Sequence, residues 1–358
     1  MTTGFLSVIY AIICTIILSD ISHSGSTPVL LEEFIFEEAP FPSCHASTIS
    51  GYGENFVVAF FGGTHEKHND VEIWVSIREN GKWSMPVSVA NGIFDGKRYP
   101  CWNPVLFQVP GGNLLLFYKV GPDPQSWWGM LKRSANGGKT WSEAEKLPDG
   151  ILGPVKNKPV LLPEGMLLCP SSTEDNGWKV HMEFTPDFGR SWLPKVVVDP
   201  VSDYGVIQPA ILQLENGWLE ILCRSRNGLI IRSFSRDQGK TWGVLEPVDL
   251  PNPNSGIDAV TLADGRHLLA YNHSRKPEDE WGGPRFPLNI AISDDGIAWK
   301  ASWILEDDPG EYSYPAIIQD NKGLVHVVYT WNRKKIKHIV LDPDKLPSNR
   351  IDIWDRKN

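Results

Sequence analysis

A short turn motif that recurs at a steady interval constrains the fold of this 358-residue chain more than any other feature. The motif has the form Ser/Thr-x-Asp/Asn-x-Gly-x-x-Trp and occupies residues 134–141, 185–192 and 235–242, with a shorter copy at 293–299 and a degenerate copy at 78–83. The five closing tryptophans lie 58, 51, 50 and 57 residues apart. This interval is close to the length of one four-stranded blade, so the repeat predicts an all-β fold, a β-propeller.

The chemistry of the motif supports a tight turn between two strands. An Asp or Asn side chain can accept hydrogen bonds from backbone N–H groups two residues further on, and Gly supplies a positive φ angle. Asp-Gly turns occur in many all-β proteins, but four near-identical copies in phase favour a propeller.

Apolar segments at strand length divide the chain into six blades. The opening strands begin near His45, Asn103, Lys158, Gln208, Asp258 and Tyr314. Only three strands follow Tyr314, so we expect residues 30–37 to add the missing outer strand and remove an exposed sheet edge. The predicted architecture is one domain over residues 30–345, a six-bladed β-propeller with an N-terminal strand closing the last blade.

Composition and charge limit the partners. The net charge is −9, and the only notable basic run is residues 333–335, whereas nucleic-acid binding requires a basic face. We therefore expect no nucleic-acid partner, although a local positive site for a small anion is compatible with this charge. No Gly-rich phosphate loop is present, so no cofactor is predicted.

The N-terminus contains an apolar run at residues 5–18, which is too short to span a bilayer comfortably. It predicts a signal peptide over residues 1–24 and a secreted, monomeric protein with no membrane insertion after cleavage. An uncleaved anchor is the alternative, because no Lys or Arg precedes the apolar run.

Four cysteines follow the predicted signal peptide: Cys44, Cys101, Cys169 and Cys223. Their positions within the blades allow two disulfides between neighbouring blades or four buried free thiols. The one N-glycosylation sequon, residues 272–274, falls where the active-site face is expected, so it is interpreted as incidental.

Innermost strands begin near the propeller axis, so polar residues at these ends are expected to converge on one funnel. The candidates are His45, His65, Glu66, Asp70, Trp102, Asn103, Lys158, Gln208, Arg224, Arg226, Asp258, Asn272, His273, Arg285, Tyr312 and Tyr314. Aromatic rings beside guanidinium groups suit an acidic glycan, because the ring stacks on the sugar and Arg pairs with the acid. The alternative is that these side chains satisfy loop backbone around a water-filled channel. The loop with His65, Glu66 and Asp70 has a spacing that can bind a cation but is more often solvated, so no metal site is predicted.

The repeated turns and these residues resemble the sialidase superfamily over roughly residues 33 to 345. The resemblance implies three arginines on a sialic acid carboxylate, a Tyr nucleophile assisted by a Glu, and an Asp acid/base. Arg224 resembles the second arginine more closely than Arg226 does, and Arg285 resembles the third. Tyr312 resembles the nucleophile, with Tyr314 as its rival.

The acid/base loop of the family corresponds to residues 62–70, where either Glu66 or Asp70 could act. Two positions depart from the family pattern. Residues 41–45 carry no arginine where the family has Arg-Ile-Pro, and Gln208 stands where the family has Glu. Gln cannot take a proton from Tyr, so Gln208 would replace the assisting base with an amide.

These departures leave three functions open. The first is a secreted glycoside hydrolase of exo-α-sialidase type that acts on a terminal acidic sugar. The second is a uronate-specific lyase or hydrolase, in which His45 abstracts a proton beside the carboxylate and a Tyr protonates the leaving oxygen. The third is a non-catalytic lectin that binds acidic glycans.

Overall fold

A computed structural model describes residues 27–347, and almost all of its secondary structure is β-strand. One short 3₁₀ helix lies at Pro343–Lys345. The strands in chain order are β1 (Val29–Phe34), β2 (Ser43–Tyr52), β3 (Asn55–Gly63), β4 (Glu72–Glu79), β5 (Lys82–Trp83), β6 (Val87–Ala90), β7 (Ile93–Phe94), β8 (Lys97–Arg98), β9 (Cys101–Gln108), β10 (Leu114–Val120), β11 (Trp128–Ser134), β12 (Glu145–Lys146), β13 (Val160–Leu161), β14 (Leu167–Thr173), β15 (Lys179–Thr185), β16 (Val196–Val197), β17 (Val206–Gln213), β18 (Leu219–Ser225), β19 (Leu229–Ser235), β20 (Glu246–Pro251), β21 (Asp258–Thr261), β22 (His267–Asn272), β23 (Leu288–Ser293), β24 (Lys300–Glu306), β25 (Tyr312–Gln319), β26 (Val325–Trp331) and β27 (Lys335–Leu341).

Six antiparallel sheets form the blades of a propeller, as the turn repeat predicts. Blade one contains β2 to β6, and blades two to five contain β9–β12, β13–β16, β17–β20 and β21–β24. Blade six has the order β1-β27-β26-β25, so the N-terminal strand is its outer strand. Glu33 pairs with His338 in this closing ladder. The predicted closure of the ring by an N-terminal strand is therefore confirmed.

The Asp-containing turns connect the third and fourth strands of blades two to five, and their hydrogen bonds follow the expected chemistry. In blade four, Ser235 Oγ accepts from Gly239 N at 2.8 Å, and Asp237 Oδ1 accepts from Thr241 N at 2.8 Å. Gly239 has a φ of 85°, which an L side chain rarely adopts. Trp242 Nε1 donates to the carbonyl of Gly239 at 3.0 Å and covers the turn.

This turn geometry predicts the effect of Asp237→Ala on stability. The change removes the acceptor of Thr241 N and also the contacts of Asp237 with the Ser235 and Thr241 hydroxyls. We expect a loss of about 2 kcal/mol in the free energy of unfolding, measured by urea denaturation. The control is Asp294→Ala on an exposed residue of the last turn. Equal stability of the two variants would contradict a structural role for the turn carboxylate.

The core consists of apolar side chains packed between neighbouring blades, such as Phe60, Phe117 and Tyr329. The four cysteines within residues 27–347 all lie in this core as free thiols, so the structure matches the free-thiol alternative and not the disulfides. Asn272 of the sequon is also fully buried, which is incompatible with a glycan on the folded protein.

The two faces of the propeller differ in their loops. First-to-second and third-to-fourth strand turns share one face because strands alternate in direction, so the Asp-containing turns lie there. The opposite face carries the starts of the innermost strands and the second-to-third strand connections. Within residues 27–347, no helix has the length and apolar character needed to cross a membrane. The predicted signal peptide at residues 1–24 lies outside the described residues.

Candidate active site

A cavity of about 540 Å³ opens on the face opposite the Asp-containing turns, near the starts of the innermost strands. Five of the predicted site residues line it, namely His45, Glu66, Arg224, Arg285 and Tyr314. Its other lining residues are Lys67, Asp123, Pro124, Gln125, Glu174, Trp178, Ile207, Trp281 and Arg333. The cavity therefore combines several cations with carboxyl groups and two indoles.

Three arginines from three successive blades reach this cavity. Arg224 ends β18 of blade four, Arg285 lies between β22 and β23 of blade five, and Arg333 lies in the β26–β27 turn of blade six. Glu311 holds two of them, because its Oε1 accepts from Arg333 Nε at 2.8 Å and from Arg285 Nη1 at 3.4 Å. Arg333 Nη1 also donates to Glu66 Oε2 at 2.5 Å. The cluster forms a positive site in a chain of negative net charge.

The tyrosine in the cavity is Tyr314. Arg224 Nη1 donates to Tyr314 Oη at 2.8 Å, and Gln208 Nε2 donates to the same oxygen at 3.1 Å. The Tyr314 oxygen accepts both bonds, so its own proton can be directed to a third group. Gln208 thus contacts Tyr314 as a hydrogen-bond donor, and an amide at this position cannot take the tyrosine proton.

A local backbone irregularity explains why Tyr314 and not Tyr312 faces the cavity. Tyr314 has a φ of 53°, and the β25–β26 register shifts between Ser313 and Ala316. Alternate residues of a regular strand share a face, but a bulge with a left-handed residue re-aims the side chain. Tyr312 is 4% exposed and packs in the hydrophobic core of the last two blades. The structure therefore corrects the preference for Tyr312.

Lys156 fixes the backbone beneath this tyrosine. Its ammonium donates to the carbonyl of Pro315 and, at 2.5 Å, to the carbonyl of Ile257. Burial lowers the pKa of Lys156 to about 7. The lysine links the third, fifth and sixth blades at the propeller axis.

His45 is 2% exposed and lies beside Tyr314, with a distance of 4.3 Å between ring centroids. Its Nδ1 is hydrogen-bonded to Thr330 Oγ1 at 3.0 Å. Burial, followed by the charges of Arg333 and Arg285, holds the pKa of His45 well below its usual value. The imidazole is therefore neutral at pH 7.

The carboxyl groups near the cavity have different environments. Glu66 lines the cavity in an ion pair with Arg333, whereas Asp70 lies outside it and accepts from Thr64 N at 2.9 Å and Thr64 Oγ1 at 2.6 Å. Burial acts to raise the pKa of Asp70, but the Thr64 hydrogen bonds outweigh it and the pKa falls to about 2. Asp70 is consequently ionised at pH 7 and lies apart from the cavity that Glu66 lines. Burial raises the pKa of the half-buried Glu174.

Arg226 lies at the rim and not among the residues that line the cavity. Its guanidinium is 4.3 Å from the Trp178 ring centroid and 4.8 Å from that of Trp281. Trp281 is 61% exposed. The arginines that line the cavity are thus Arg224, Arg285 and Arg333, whereas Arg226, a predicted binding residue, does not line it.

The remaining predicted binding residues lie outside the cavity lining. His65 is exposed on the β3–β4 loop, and Lys158 is half-buried. The other five are buried, namely Trp102, Asn103, Asp258, Asn272 and His273. Lys158 Nζ pairs with Asp258 at 2.9 Å, and Asp258 also accepts from Ile317 N. Asn272 Nδ2 donates to the carbonyl of Tyr312 at 2.9 Å. Lys158, Asp258 and Asn272 thus join different blades, so the backbone-satisfying alternative applies to these three.

Sequence reasoning missed Arg333, Glu174, Asp123 and Trp178. All four lie in second-to-third strand connections, the same position in the blade that supplies Glu66 and Arg285. A systematic inspection of this connection in every blade would have identified Asp123, Glu174 and Arg333. In the described part of the chain, no group of three or more His, Cys, Asp or Glu side chains is placed to hold a metal.

Solved structures similar to this chain share its propeller. A protein of unknown function from Dyadobacter fermentans is 17% identical with a TM-score of 0.72, and the match covers 88% of this chain and 98% of that one. The intramolecular trans-sialidase from Ruminococcus gnavus is 13% identical with a TM-score of 0.70, covering 91% and 100% of the two chains. The NanB sialidase from Streptococcus pneumoniae is 14% identical with a TM-score of 0.69, covering 90% and 72%.

No curated protein sequence matches the chain. The family model of the BNR repeat-like domain matches residues 54–327, a span that extends from the first blade into the last. The sialidase-type propeller and this match agree with the resemblance drawn from the turn motifs. The chain is therefore a member of the BNR repeat-like family, and its six-bladed propeller is a fold that it shares with solved sialidases.

Proposed function

We propose that the protein is a glycosidase that removes a terminal acidic sugar from a glycan. The observation that supports this most strongly is the convergence of Arg224, Arg285 and Arg333 on the cavity that contains Tyr314 Oη. Planar guanidinium groups bind a carboxylate through paired hydrogen bonds, and a ring beside them stacks on the sugar. In this proposal the protein is secreted and acts on acidic glycans as a monomer.

Tyr314 acts as the nucleophile or proton relay in the proposed reaction. Arg224 and Gln208 donate to its oxygen and would stabilise negative charge that develops there. Gln208 cannot remove the tyrosine proton, so the neutral His45 beside Tyr314 is the base that would accept it. His45 therefore performs the task that the missing carboxylate would otherwise perform.

The neutral His45 also supports a second candidate, a uronate lyase. Arginine neutralises the carboxylate, His45 removes the proton on the adjacent carbon, and Tyr314 protonates the leaving oxygen. A lyase yields an unsaturated product that absorbs in the ultraviolet, whereas a hydrolase yields free acidic sugar without new absorbance. We expect free sugar from a panel of sialosides and uronate-capped oligosaccharides; absorbance would favour the lyase, and binding without turnover would favour a lectin.

Arg333 provides the sharpest test of the carboxylate site. We expect Arg333→Gln to weaken binding of an acidic sugar roughly 30-fold, about 2 kcal/mol, because one charged donor to the acid is lost. Isothermal titration with the sugar and with its carboxyl-reduced analogue measures the effect. The analogue should bind the variant and the wild type alike.

The control is Lys334→Gln, an exposed neighbour that does not line the cavity. This variant removes the same charge and should leave both affinities unchanged. The carboxylate site would be contradicted if the ratio of the two affinities, acidic sugar over reduced analogue, were the same in Arg333→Gln as in the wild type.

A further inference from the structure

A second, smaller cavity lies beside the arginine-lined cavity. It encloses about 210 Å³ between blades two and three, where Trp128, Pro148 and Leu152 contribute to its wall. Trp128 packs edge-on against Tyr99, with a centroid distance of 5.2 Å, so its ring is held in place. An apolar wall with a fixed indole is typical of a sugar-binding surface.

The two cavities share one boundary. Pro124, Gln125 and Glu174 line both of them. Of these three, Glu174 alone carries a titratable proton. A glycan with its acidic sugar against the arginines and its next sugar in the second cavity must place the linking oxygen at this boundary.

We infer that Glu174 is the general acid of the reaction and that the second cavity holds the neutral sugar that leaves. This inference rests on the proposed glycosidase function. The substrate class is accordingly an acidic sugar linked to a neutral sugar. The charges around the second cavity are mixed, because Lys146, Lys195, Asp149 and Asp175 all line it and Lys146 pairs with Asp149 at 2.9 Å, which suits an uncharged occupant.

The proton transfer follows from this placement. The Glu174 carboxyl gives its proton to the linking oxygen as the bond between that oxygen and the anomeric carbon of the acidic sugar breaks. The neutral sugar leaves as an alcohol. The Glu174 carboxylate then takes a proton from water, whose oxygen bonds to the anomeric carbon, so the net reaction is hydrolysis.

The surroundings of Glu174 suit an acid better than those of the other carboxyl groups. Burial raises its pKa, against the opposing effects of Arg224 and a hydrogen bond with the Trp178 side chain. Glu66 is occupied by Arg333 at 2.5 Å. Asp70 is outside the cavity, as described above.

The test compares two substrates of the same acidic sugar. One is an oligosaccharide with a neutral second sugar, and the other is a 4-nitrophenyl glycoside whose leaving group needs no protonation. For Glu174→Gln we expect kcat/KM on the oligosaccharide to fall about 10²- to 10³-fold. The nitrophenyl glycoside should lose less than tenfold, and the alkaline limb of the pH profile on the oligosaccharide should disappear.

The matched control is Glu164→Gln, an exposed residue of the same blade in the turn at the opposite face. It should match the wild type on both substrates. The assignment would be overturned if Glu174→Gln lowered kcat/KM equally on both substrates. It would also be overturned if Glu66→Gln, and not Glu174→Gln, lowered kcat/KM on the oligosaccharide much more than on the nitrophenyl glycoside. If the wild type cleaves neither substrate, the glycosidase function itself fails and the assignment falls with it.

Discussion

Replacing Tyr314 by Phe is expected to lower kcat by at least about 10³-fold and leave the affinity for an acidic sugar within about threefold of wild type. The phenolic oxygen is the atom to which Arg224 and Gln208 both donate, and Phe keeps the ring without that oxygen. A reacting group lost from the chemical step affects kcat, whereas the arginines that hold the carboxylate remain. Single-turnover release of the acidic sugar and titration with the free sugar measure the two quantities.

Tyr312→Phe is the matched control for this experiment. Tyr312 lies two residues before Tyr314 in the chain, and its ring packs in the core of blades five and six. Turnover of the control should remain within about threefold of wild type. A large loss of turnover in Tyr312→Phe with full activity in Tyr314→Phe would reverse the assignment drawn from the bulge.

Glu220→Gln should make the free energy of unfolding less dependent on pH. The change in this quantity between pH 5 and pH 8 should be smaller in the variant than in the wild type by up to about 4 kcal/mol. Glu220 is 0% exposed, and within residues 27–347 neither carboxyl oxygen has a hydrogen-bond partner. A Cβ placed on Gly296 of the last turn would lie 2.8 Å from Glu220 Oε2, whereas the corresponding glycines Gly138 and Gly239 pack on Val57 and Leu168. Burial raises the pKa of Glu220 to about 8.

The sign of the effect follows from proton counting. The folded protein keeps the Glu220 proton up to about pH 8, while the unfolded chain releases it near pH 4.5. Between these values the folded state binds more protons, so stability falls as pH rises, by about 1.4 kcal/mol per unit at most. Gln carries no such proton. The free energy of unfolding of the variant minus that of the wild type should therefore increase with pH.

Urea denaturation at several pH values measures this difference. Glu164→Gln is the control, since Glu164 is exposed in the turn between β13 and β14 and is not among the charges that shift the pKa of Glu220. Its pH dependence should parallel that of the wild type. A constant gap between Glu220→Gln and wild type from pH 5 to pH 8 would show that Glu220 ionises normally in the fold.

The location of Arg333 illustrates the limit of sequence reasoning. Residues 41–45 lack the arginine of the family pattern, and Arg333 reaches the same cavity from the opposite end of the chain. Cys44 N donates to the Arg333 carbonyl at 2.9 Å, so the two segments are adjacent in space. Ring closure brings the first and last blades together, and a linear motif search cannot register that contact.

The choice between Tyr312 and Tyr314 illustrates a different limit. Strand periodicity places residues i and i+2 on one face, so both tyrosines were equivalent in pattern. The positive φ of Tyr314 and the register shift beside it broke that equivalence. Such a bulge depends on the neighbouring strand and on the packing at the propeller axis.

The sequence by itself determined the six blades, the turns that end them and the strand that closes the ring, because these features depend on local turn chemistry and strand-length periodicity. Only the tertiary structure decided which side chains share the cavity, which carboxyl lies between the two cavities and which tyrosine faces the arginines. These features depend on distances between residues far apart in the chain. Blade packing and local bulges set those distances.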